Sequence, residues 1–404
     1  MKLDTDTMTA TERVKASLLR QEPDRAPCYV MGIPNYSKCY KEFIKREGNG
    51  ELDDFFDNDD NLLLTPMGDF TLKYFFGADM EMTSVGMHFP PFLNLLVNPN
   101  GSLNPDPAAL GSLPPGNEAT YVSYYGSIHG IKVLDTGEPY TWYLDGYLKK
   151  KEDAIAWYDK YGWPSECEAD KANVSSYEEF QAKSSDRFCL IPQIAGCQLY
   201  ESTWPIMGQA RWGYYCRKDP DYIQRLVNDR KECQLKMLDE LARYKPFAVF
   251  GGDDLGQKGR SLLSPGMFRK FFKQPYSEIF QKIHDMGAIA FNHSCGNMTE
   301  LLPDYIEAGL DGWQSLEPAS LIDHAALKKK YGDRFVFVGG IDSREISFGT
   351  PESIRKHVRA QLLNMGIGGG YVPGPTHDFL TETPLDNCLA MRDAIQQEGH
   401  YPLE

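Results

Sequence analysis

Short apolar segments alternate with amphipathic ones through the second half of the chain. The apolar segments are FCLIPQIAG, FAVFGG, AIAFNHS, GWQSLEP, FVFVGGI and GGYVPGP. Between them lie stretches such as SPGMFRKFFKQPYSEIFQKIHDMG, whose apolar residues have the spacing of an amphipathic helix. Continuous apolar strands are typical of a parallel sheet that helices cover. We therefore predict an α/β fold, and the number of repeats in 404 residues favours a (β/α)8 TIM barrel over an open sheet.

Residues 49–164 do not follow this alternation. They include the acidic stretch ELDDFFDNDD and the loop-like stretch NPNGSLNPDPAALGSLPPGN, which is rich in proline, glycine and asparagine. The stretch SIHGIKVLDTGEPYTWYLDGYL is typical of a β-hairpin that turns at Thr136 and Gly137. We expect residues 1–404 to form a single barrel domain, with residues 49–164 as an irregular insertion in its N-terminal half.

Charge and cysteine content narrow the range of functions. With a formal net charge of −15 and no basic face, the chain is not expected to bind nucleic acid, whose phosphates need clustered cationic side chains. The first residues lack the pattern of a signal peptide, and no apolar run reaches the ~18 residues of a membrane span. Nine irregularly spaced cysteines fit reduced thiols better than a disulfide framework. We expect a cytoplasmic protein without a membrane partner.

Polar residues that can take part in chemistry follow most of the predicted strands. Because active sites of barrel enzymes gather at the carboxyl ends of the strands, these side chains are expected to face one pocket. They are Asp253, Asp254, His293, Cys295, Glu317, Asp342 and His377.

Three of these residues suggest a metal site. Imidazole nitrogen and thiolate sulfur are ligands that zinc prefers, and catalytic zinc commonly has three protein ligands and one open position. His293, Cys295 and His377 would supply such a set. The alternative is a buried thiol beside a hydrogen-bonded histidine, and the pair His293 and Cys295 alone does not decide between them.

Several segments resemble the uroporphyrinogen decarboxylase superfamily. They are TERVKASLLRQEPDRAP, SPGMFRKFFKQPYSEIFQKIHDMG, HSCGNMTELLPDYIEAGLDGW, GGIDSREISFGTPESIRKHV and TPLDNCLAMRDAI. Within the superfamily the chain looks most like the cobamide-dependent methyltransferases. The resemblance implies a (β/α)8 barrel with a deep funnel at its carboxyl face.

The decarboxylase branch carries an arginine-rich segment that binds a substrate with many carboxylates. Arg25, Pro27, Tyr29 and Met31 fit the frame of that segment, but residues 32–36 are Gly-Ile-Pro-Asn-Tyr where the branch has Arg-Gln-Ala-Gly-Arg. Without these guanidinium groups the chain has little means of offsetting the desolvation of a tetrapyrrole's carboxylates. Decarboxylation of uroporphyrinogen itself is therefore not expected.

The methyltransferase branch has a zinc set of His-x-Cys and a distant cysteine shortly before Thr-Pro. His293 and Cys295 match the first part, and His377 stands where the second cysteine is expected. The resemblance implies that zinc polarises a heteroatom of a methylated substrate. It also implies that the methyl group is exchanged with a corrinoid on a separate corrinoid-binding protein.

Further residues are assigned to the substrate. We expect Asp253 and Glu317 to act in catalysis, as a fourth ligand or as a proton donor, with a helix cap or a partner that orients His293 as the competing interpretation. The expected substrate-binding residues are Tyr29, Met31, Trp204, Asp254 and Asp342.

Two other functions remain open at this stage. One is a metal-free decarboxylase or lyase that acts on a small aromatic or pyrrolic acid. The other is a non-catalytic barrel that binds a ligand or a corrinoid partner. The expected substrate of the first hypothesis is a small methyl donor or acceptor such as a methoxyaromatic or a methylamine, which the many aromatic side chains would suit.

Overall fold

The computed structural model describes most of the chain. The described residues are 3–34, 37–48, 64–65, 68–86, 94–106, 108–123, 126–135, 137–166, 177–178, 181, 187–195 and 198–404. The α-helices are α1 Ala10–Leu18, α2 Lys38–Gly48, α3 Phe70–Phe75, α4 Ala108–Gly111, α5 Lys151–Tyr161, α6 Gln209–Lys218, α7 Pro220–Leu241, α8 Pro265–Phe271, α9 Lys273–Asp285, α10 Leu302–Ala308, α11 His324–Tyr331, α12 Ser343–Phe348, α13 Pro351–Gln361 and α14 Leu385–Glu398. The strands are β1 Leu64–Thr65, β2 Gly68–Asp69, β3 Met80–Gly86, β4 Leu95–Leu96, β5 Glu118–Val122, β6 Ser127–Val133, β7 Pro139–Gly146, β8 Cys189–Ala195, β9 Ala248–Gly252, β10 Gly256–Gln257, β11 Arg260–Ser261, β12 Ile289–His293, β13 Gly312–Ser315, β14 Val336–Ile341 and β15 Tyr371–Pro375.

Six of the predicted apolar segments form strands of one parallel sheet. The sheet has seven strands in the order β15-β14-β13-β12-β9-β8-β3. Helices connect neighbouring strands, so the sheet curls and its carboxyl ends face the same side. The predicted α/β fold is confirmed at this level, and a complete (β/α)8 barrel remains a prediction.

The segment around Tyr29 lies between the two edge strands of this sheet. Tyr29 forms a parallel bridge with Met80 of β3. Its backbone N–H donates to the carbonyl of Pro373 in β15, at 3.0 Å. Gly374 allows this approach, because a Cβ there would lie 2.2 Å from the carbonyl oxygen of Tyr29.

Apolar side chains fill both sides of the curled sheet. The inner cluster includes Phe250, Phe291 and Val338, and the outer cluster packs the helices against the strands. Helix α1 covers the amino ends of the strands, where its Val14 and Leu18 join the inner cluster. The predicted capping box of α1 is present, with Thr9 and Glu12 bonded to each other's backbone N–H groups.

The insertion is more regular than its composition suggests. It contributes β3 to the parallel sheet, and strands β4 to β7 form a separate antiparallel sheet. The predicted hairpin is present as β6 and β7, and Gly137 in its turn has φ +86°. Thr136 and residues 49–63 lie outside the described residues. The frequent proline and glycine residues hide this short-strand pattern in the sequence.

A buried ion network fixes the first helix to the end of the parallel sheet at β3. Arg13 pairs with Asp24 and Asp79, at 2.8 and 2.7 Å. Arg25 pairs with Asp6 and Asp79, at 2.8 and 2.9 Å. Because each guanidinium group faces more than one carboxylate, the network joins four separate positions of the chain.

None of the helices in the described ranges combines the length and the apolar character needed to cross a bilayer.

Candidate metal centre

The histidine and cysteine of the FNHSCG segment lie at the carboxyl end of β12. His293 is the last residue of the strand, and Cys295 follows in a turn in which Gly296 has φ +72°. His293 Nε2 lies 3.1 Å from Cys295 Sγ. A hydrogen bond from the neighbouring strand β13 supports the turn, because Trp313 Nε1 donates to the carbonyl of Ser294 at 3.0 Å.

Asp254 completes a group of three possible ligands. It follows the neighbouring strand β9, and its Oδ1 lies 3.2 Å from His293 Nε2. The same oxygen accepts the backbone N–H of Cys295 at 2.7 Å. One ligand atom from each of Asp254, His293 and Cys295 can be chosen so that all three lie within 4.8 Å of one another.

These three residues fit a zinc ion. They offer one oxygen, one nitrogen and one sulfur donor, which is a combination that zinc accepts. Ligands of a tetrahedral zinc ion lie about 3.3–3.8 Å apart for bonds of about 2.0–2.3 Å. The distances of 3.1 and 3.2 Å from His293 Nε2 to the other two ligands require only a small adjustment.

Within this group the contacts favour the charged forms of His293 and Asp254. Burial acts to lower the pKa of His293, but hydrogen bonds to Asp254 and Cys295 raise this pKa well above its usual value. Burial acts to raise the pKa of Asp254, and the hydrogen bond to His293 lowers it below its usual value. An anionic ligand group that already faces a cation is suited to a divalent metal ion.

His377 lies beside this group. Its ring centroid is 6.3 Å from that of His293, and its hydrogen bond with Cys295 raises its pKa. Its Nδ1 accepts the backbone N–H of Asp378 at 2.8 Å, so the proton of the neutral ring is on Nε2. In this arrangement His377 is hydrogen-bonded to Cys295, and its role as a third zinc ligand remains a prediction.

Asp253 is buried behind the group rather than inside it. Its side chain is 1% exposed and accepts hydrogen bonds from the backbone N–H groups of Tyr200 and Glu201 and from the hydroxyl of Tyr276, at 2.7, 2.8 and 2.6 Å. Burial raises its pKa to about 7. These bonds hold the turn at residues 200–201 against the end of β9, and the predicted catalytic role is untested.

Glu317 and Asp342 bind the backbone at two other strand ends. Glu317 accepts the N–H of Gly296 at 3.1 Å, which supports the turn that carries Cys295. Asp342 caps α12 by accepting the N–H of Arg344 at 2.9 Å, and it also pairs with the Arg344 side chain. Their predicted functional roles remain predictions.

The three predicted apolar substrate residues occupy different places. Tyr29 is buried in the inner cluster, and its hydroxyl has no hydrogen-bond partner in the described part of the chain. Met31 packs against that cluster. Trp204 lies near Tyr143 and Tyr200, and its ring is tilted against both, with centroid distances of 5.5 and 6.3 Å.

Two residues beside the group of Asp254, His293 and Cys295 were not predicted as site residues from the sequence. Gln314 of β13 accepts a hydrogen bond from His293 Nδ1. Glu201 accepts the backbone N–H of Asp254 at 3.0 Å, and burial, together with the charges of Asp254 and Asp253, raises its pKa to about 8. Gln314 lies near a strand end and could have been considered, whereas Glu201 lies in a turn with no such signal.

Comparison with known proteins agrees with the predicted resemblance. Residues 205–398 match the family model described as Uroporphyrinogen decarboxylase (URO-D). A uroporphyrinogen decarboxylase from Psychromonas ingrahamii is 34% identical over 76 residues, which are 19% of this chain. The match spans only 21% of the length of that relative. The resemblance to the uroporphyrinogen decarboxylase superfamily is thereby confirmed.

A solved structure extends the likeness to nearly the whole fold. A methyltransferase from Methanosarcina mazei superposes with a TM-score of 0.59 and is 15% identical, and the match covers 96% of this chain and 99% of that one. At this identity the likeness concerns the fold.

Proposed function

We propose that the protein is a zinc-dependent methyltransferase that moves a methyl group between a small methylated substrate and a corrinoid on a partner protein. The observation that carries the proposal is the group of Asp254, His293 and Cys295 at the carboxyl end of the parallel sheet. The structural likeness to a methyltransferase supports the reaction class. The proposal takes the segment around Tyr29 as the eighth strand of a closed barrel, because it contacts both edge strands.

The side chains of the site would have different roles in the proposed reaction. Asp254, His293 and Cys295 would hold the zinc ion, which supplies a Lewis acid for the heteroatom that carries the methyl group. His377 donates a hydrogen bond to Cys295 Sγ. Cobalt(I) of the corrinoid on the partner protein would supply the nucleophile that accepts the methyl group, and the heteroatom that loses the methyl group would take up a proton. Glu201 lies against Asp254 and is suited to supply that proton.

Exposed apolar side chains at the carboxyl face support a protein partner. Leu321 is 70% exposed after β13, and Phe348 is 69% exposed at the end of α12, which follows β14. Leu262 and Leu380 are further exposed leucines in the segments after β9 and β15. In the proposed reaction the second substrate is carried by another protein. That protein would cover the apolar rim formed by Leu262, Leu321, Phe348 and Leu380.

The test combines metal analysis with a substrate screen. We expect about one zinc ion per chain by elemental analysis, and its loss in the His293→Ala, Cys295→Ser and Asp254→Asn variants. Cys216→Ser removes a buried thiol of α6 and is the matched control that retains zinc. A screen of methoxyaromatics, methylamines and betaines with reduced cobalamin would show a methylcobalamin spectrum for one class. Zinc-free protein with no methyl transfer would contradict the proposal.

The His377→Ala variant separates two ligand sets. The geometry favours retention of zinc in this variant, since Asp254 is the third member of the close group. Loss of zinc equal to that in Cys295→Ser would instead make His377 the third ligand.

The matched family favours a second candidate, a metal-free decarboxylase or lyase acting on a small acid. One observation weighs against a polycarboxylate substrate. Arg25, which fits the frame of the arginine-rich segment, is 0% exposed and already paired with Asp6 and Asp79. Release of carbon dioxide from a small aromatic acid by zinc-free protein would establish this alternative.

A further inference from the structure

Gln314 links the proposed metal centre to the interior of the barrel. It pairs in register with His293 on the neighbouring strand. The preceding residue, Trp313, belongs to the outer apolar cluster, so the next side chain of the strand points to the opposite, inner face. Gln314 is 0% exposed.

One end of the Gln314 carboxamide determines the orientation of His293. Its Oε1 accepts a hydrogen bond from His293 Nδ1. The Nδ1 proton is therefore held by Gln314, and once a metal ion displaces the Nε2 proton, the lone pair of Nε2 points into the space beside Cys295 Sγ and Asp254 Oδ1. This is the tautomer in which the imidazole can bind a metal ion through Nε2.

The other end of the carboxamide is unused. Gln314 Nε2 is buried and has no hydrogen-bond partner among the described residues. A buried donor without a partner costs free energy, so an acceptor atom that reaches Nε2 would be bound favourably. Because Oε1 is held by His293, the amide group cannot turn to satisfy Nε2 elsewhere without releasing the histidine.

We propose that Gln314 is a positioning residue for His293 and that its Nε2 donates a hydrogen bond to an oxygen atom of the substrate. This inference rests on the proposed function and adds the substrate class. The site would prefer a methylated compound with an acceptor oxygen near the reacting group, such as a methoxyaromatic acid. A quaternary ammonium compound without oxygen leaves the donor unpaired and is disfavoured.

Two variants separate the two roles of the side chain. Gln314→Glu keeps an oxygen that accepts from His293 Nδ1 but removes the amide donor. Gln314→Met removes both. The matched control is Gln361→Met, since Gln361 accepts a hydrogen bond from His324 Nδ1 at 2.7 Å in a second buried glutamine–histidine pair on other elements.

The first measurement is the affinity of the protein for Co²⁺. The absorption spectrum of the bound Co²⁺ reports its binding while a chelator competes for the ion. We expect Gln314→Met to bind Co²⁺ about 10–100-fold more weakly than wild type, as for the loss of a partner that orients a ligand. Gln314→Glu and Gln361→Met should bind it within a few-fold of wild type. Unchanged affinity in Gln314→Met would overturn the positioning role.

The second measurement is calorimetric binding of 3-methoxybenzoate and of tetramethylammonium to the zinc-loaded protein. We expect Gln314→Glu to bind 3-methoxybenzoate at least about fivefold more weakly than wild type, because a buried hydrogen bond is lost. Binding of tetramethylammonium should not weaken. Equal binding of 3-methoxybenzoate to wild type and Gln314→Glu, or no binding to wild type, would overturn the donor role.

The outcomes also separate this inference from the proposed function. If wild-type protein binds neither Zn²⁺ nor Co²⁺, the proposed function fails and the inference fails with it. If wild type binds the metal and the Gln314 variants behave as wild type, only the inference fails.

Discussion

Gly296 shows how one residue can control the geometry of the candidate metal centre. Its φ of +72° is in the left-handed region, and a Cβ there would lie 2.4 Å from the backbone nitrogen of Gln257. The loop that carries Cys295 and the hairpin of β10 and β11 are thus in backbone contact. Asn297 N–H donates to the carbonyl of Gln257 at 2.9 Å across the same contact.

We therefore expect Gly296→Ala to lower both stability and zinc content. The left-handed conformation alone costs about 1–2 kcal/mol for alanine, and the clash with Gln257 must move one loop in addition. Gly287→Ala is the control, since Gly287 has φ +76° but no described atom within 4 Å of the added Cβ. Chemical denaturation and elemental analysis check both variants. An equal loss of stability in the two, with zinc retained, would show that the close contact is unimportant.

The chemistry of single residues could be predicted only in part. His293 and Cys295 were predicted as metal ligands and Asp254 as a substrate-binding residue, because each lies at the end of an apolar strand and strand ends of one sheet meet. Glu201 approaches Asp254 from a turn whose position depends on Asp253 and Tyr276, residues distant in sequence. No local pattern carries that information. The orientation of His377 likewise depends on its hydrogen bonds, which only coordinates reveal.

At the level of elements, the ion network around α1 predicts how acid affects stability. Burial acts to raise the pKa of Asp24, but hydrogen bonds to Arg13 and to backbone N–H groups lower this pKa to about 2. A folded-state pKa below the unfolded value of about 3.9 means that ionised Asp24 favours folding. The stabilisation is complete above about pH 4 and is lost as the pH falls towards 2.

We expect Asp24→Asn to lower the free energy of unfolding at pH 7 by about 3 kcal/mol, as for a broken buried ion pair. Its free energy of unfolding should also fall less steeply than that of wild type between pH 4 and pH 2. Urea denaturation at several pH values measures both. Asp333→Asn, at an exposed position, is the control with unchanged stability. A pH profile of Asp24→Asn parallel to that of wild type would contradict the role of the network.

The elements themselves were predictable to different degrees. The strands β8, β9 and β12 to β15 were recognised because parallel strands covered by helices are continuously apolar. Strand β3 and the antiparallel sheet of β4 to β7 were not recognised individually, apart from the hairpin of β6 and β7. Residues 80–83 of strand β3 are buried, but Glu81 and Thr83 interrupt the apolar run, and β4, β5 and β7 are largely half-buried or exposed, so the apolar pattern is weak and tertiary pairing decides the structure.

For the whole molecule, the exposed apolar rim predicts how the proposed corrinoid protein would dock. Phe348→Glu places a charge on a side chain that is 69% exposed at the carboxyl face. Turnover with a corrinoid protein should fall at least about tenfold, as for the loss of an apolar anchor of an interface. Turnover with free reduced cobalamin should be unchanged, because this small molecule does not need the rim.

Ile367→Glu is the control for this prediction. Ile367 is 53% exposed but precedes β15, so it lies at the amino ends of the strands. The Ile367→Glu variant should change turnover neither with the corrinoid protein nor with free cobalamin. An equal loss with the corrinoid protein and with free cobalamin in Phe348→Glu would indicate damage to the site rather than to docking.

The bridging position of Tyr29 has a consequence for biosynthesis. A ribosome translates this segment early, yet its partner Pro373 is in the last strand of the sheet. During elongation the side of the Tyr29 segment that will pair with β15 therefore keeps unpaired backbone groups, which are a template for pairing with a second nascent chain. Protection by a chaperone until β15 has left the exit tunnel would favour correct closure over aggregation.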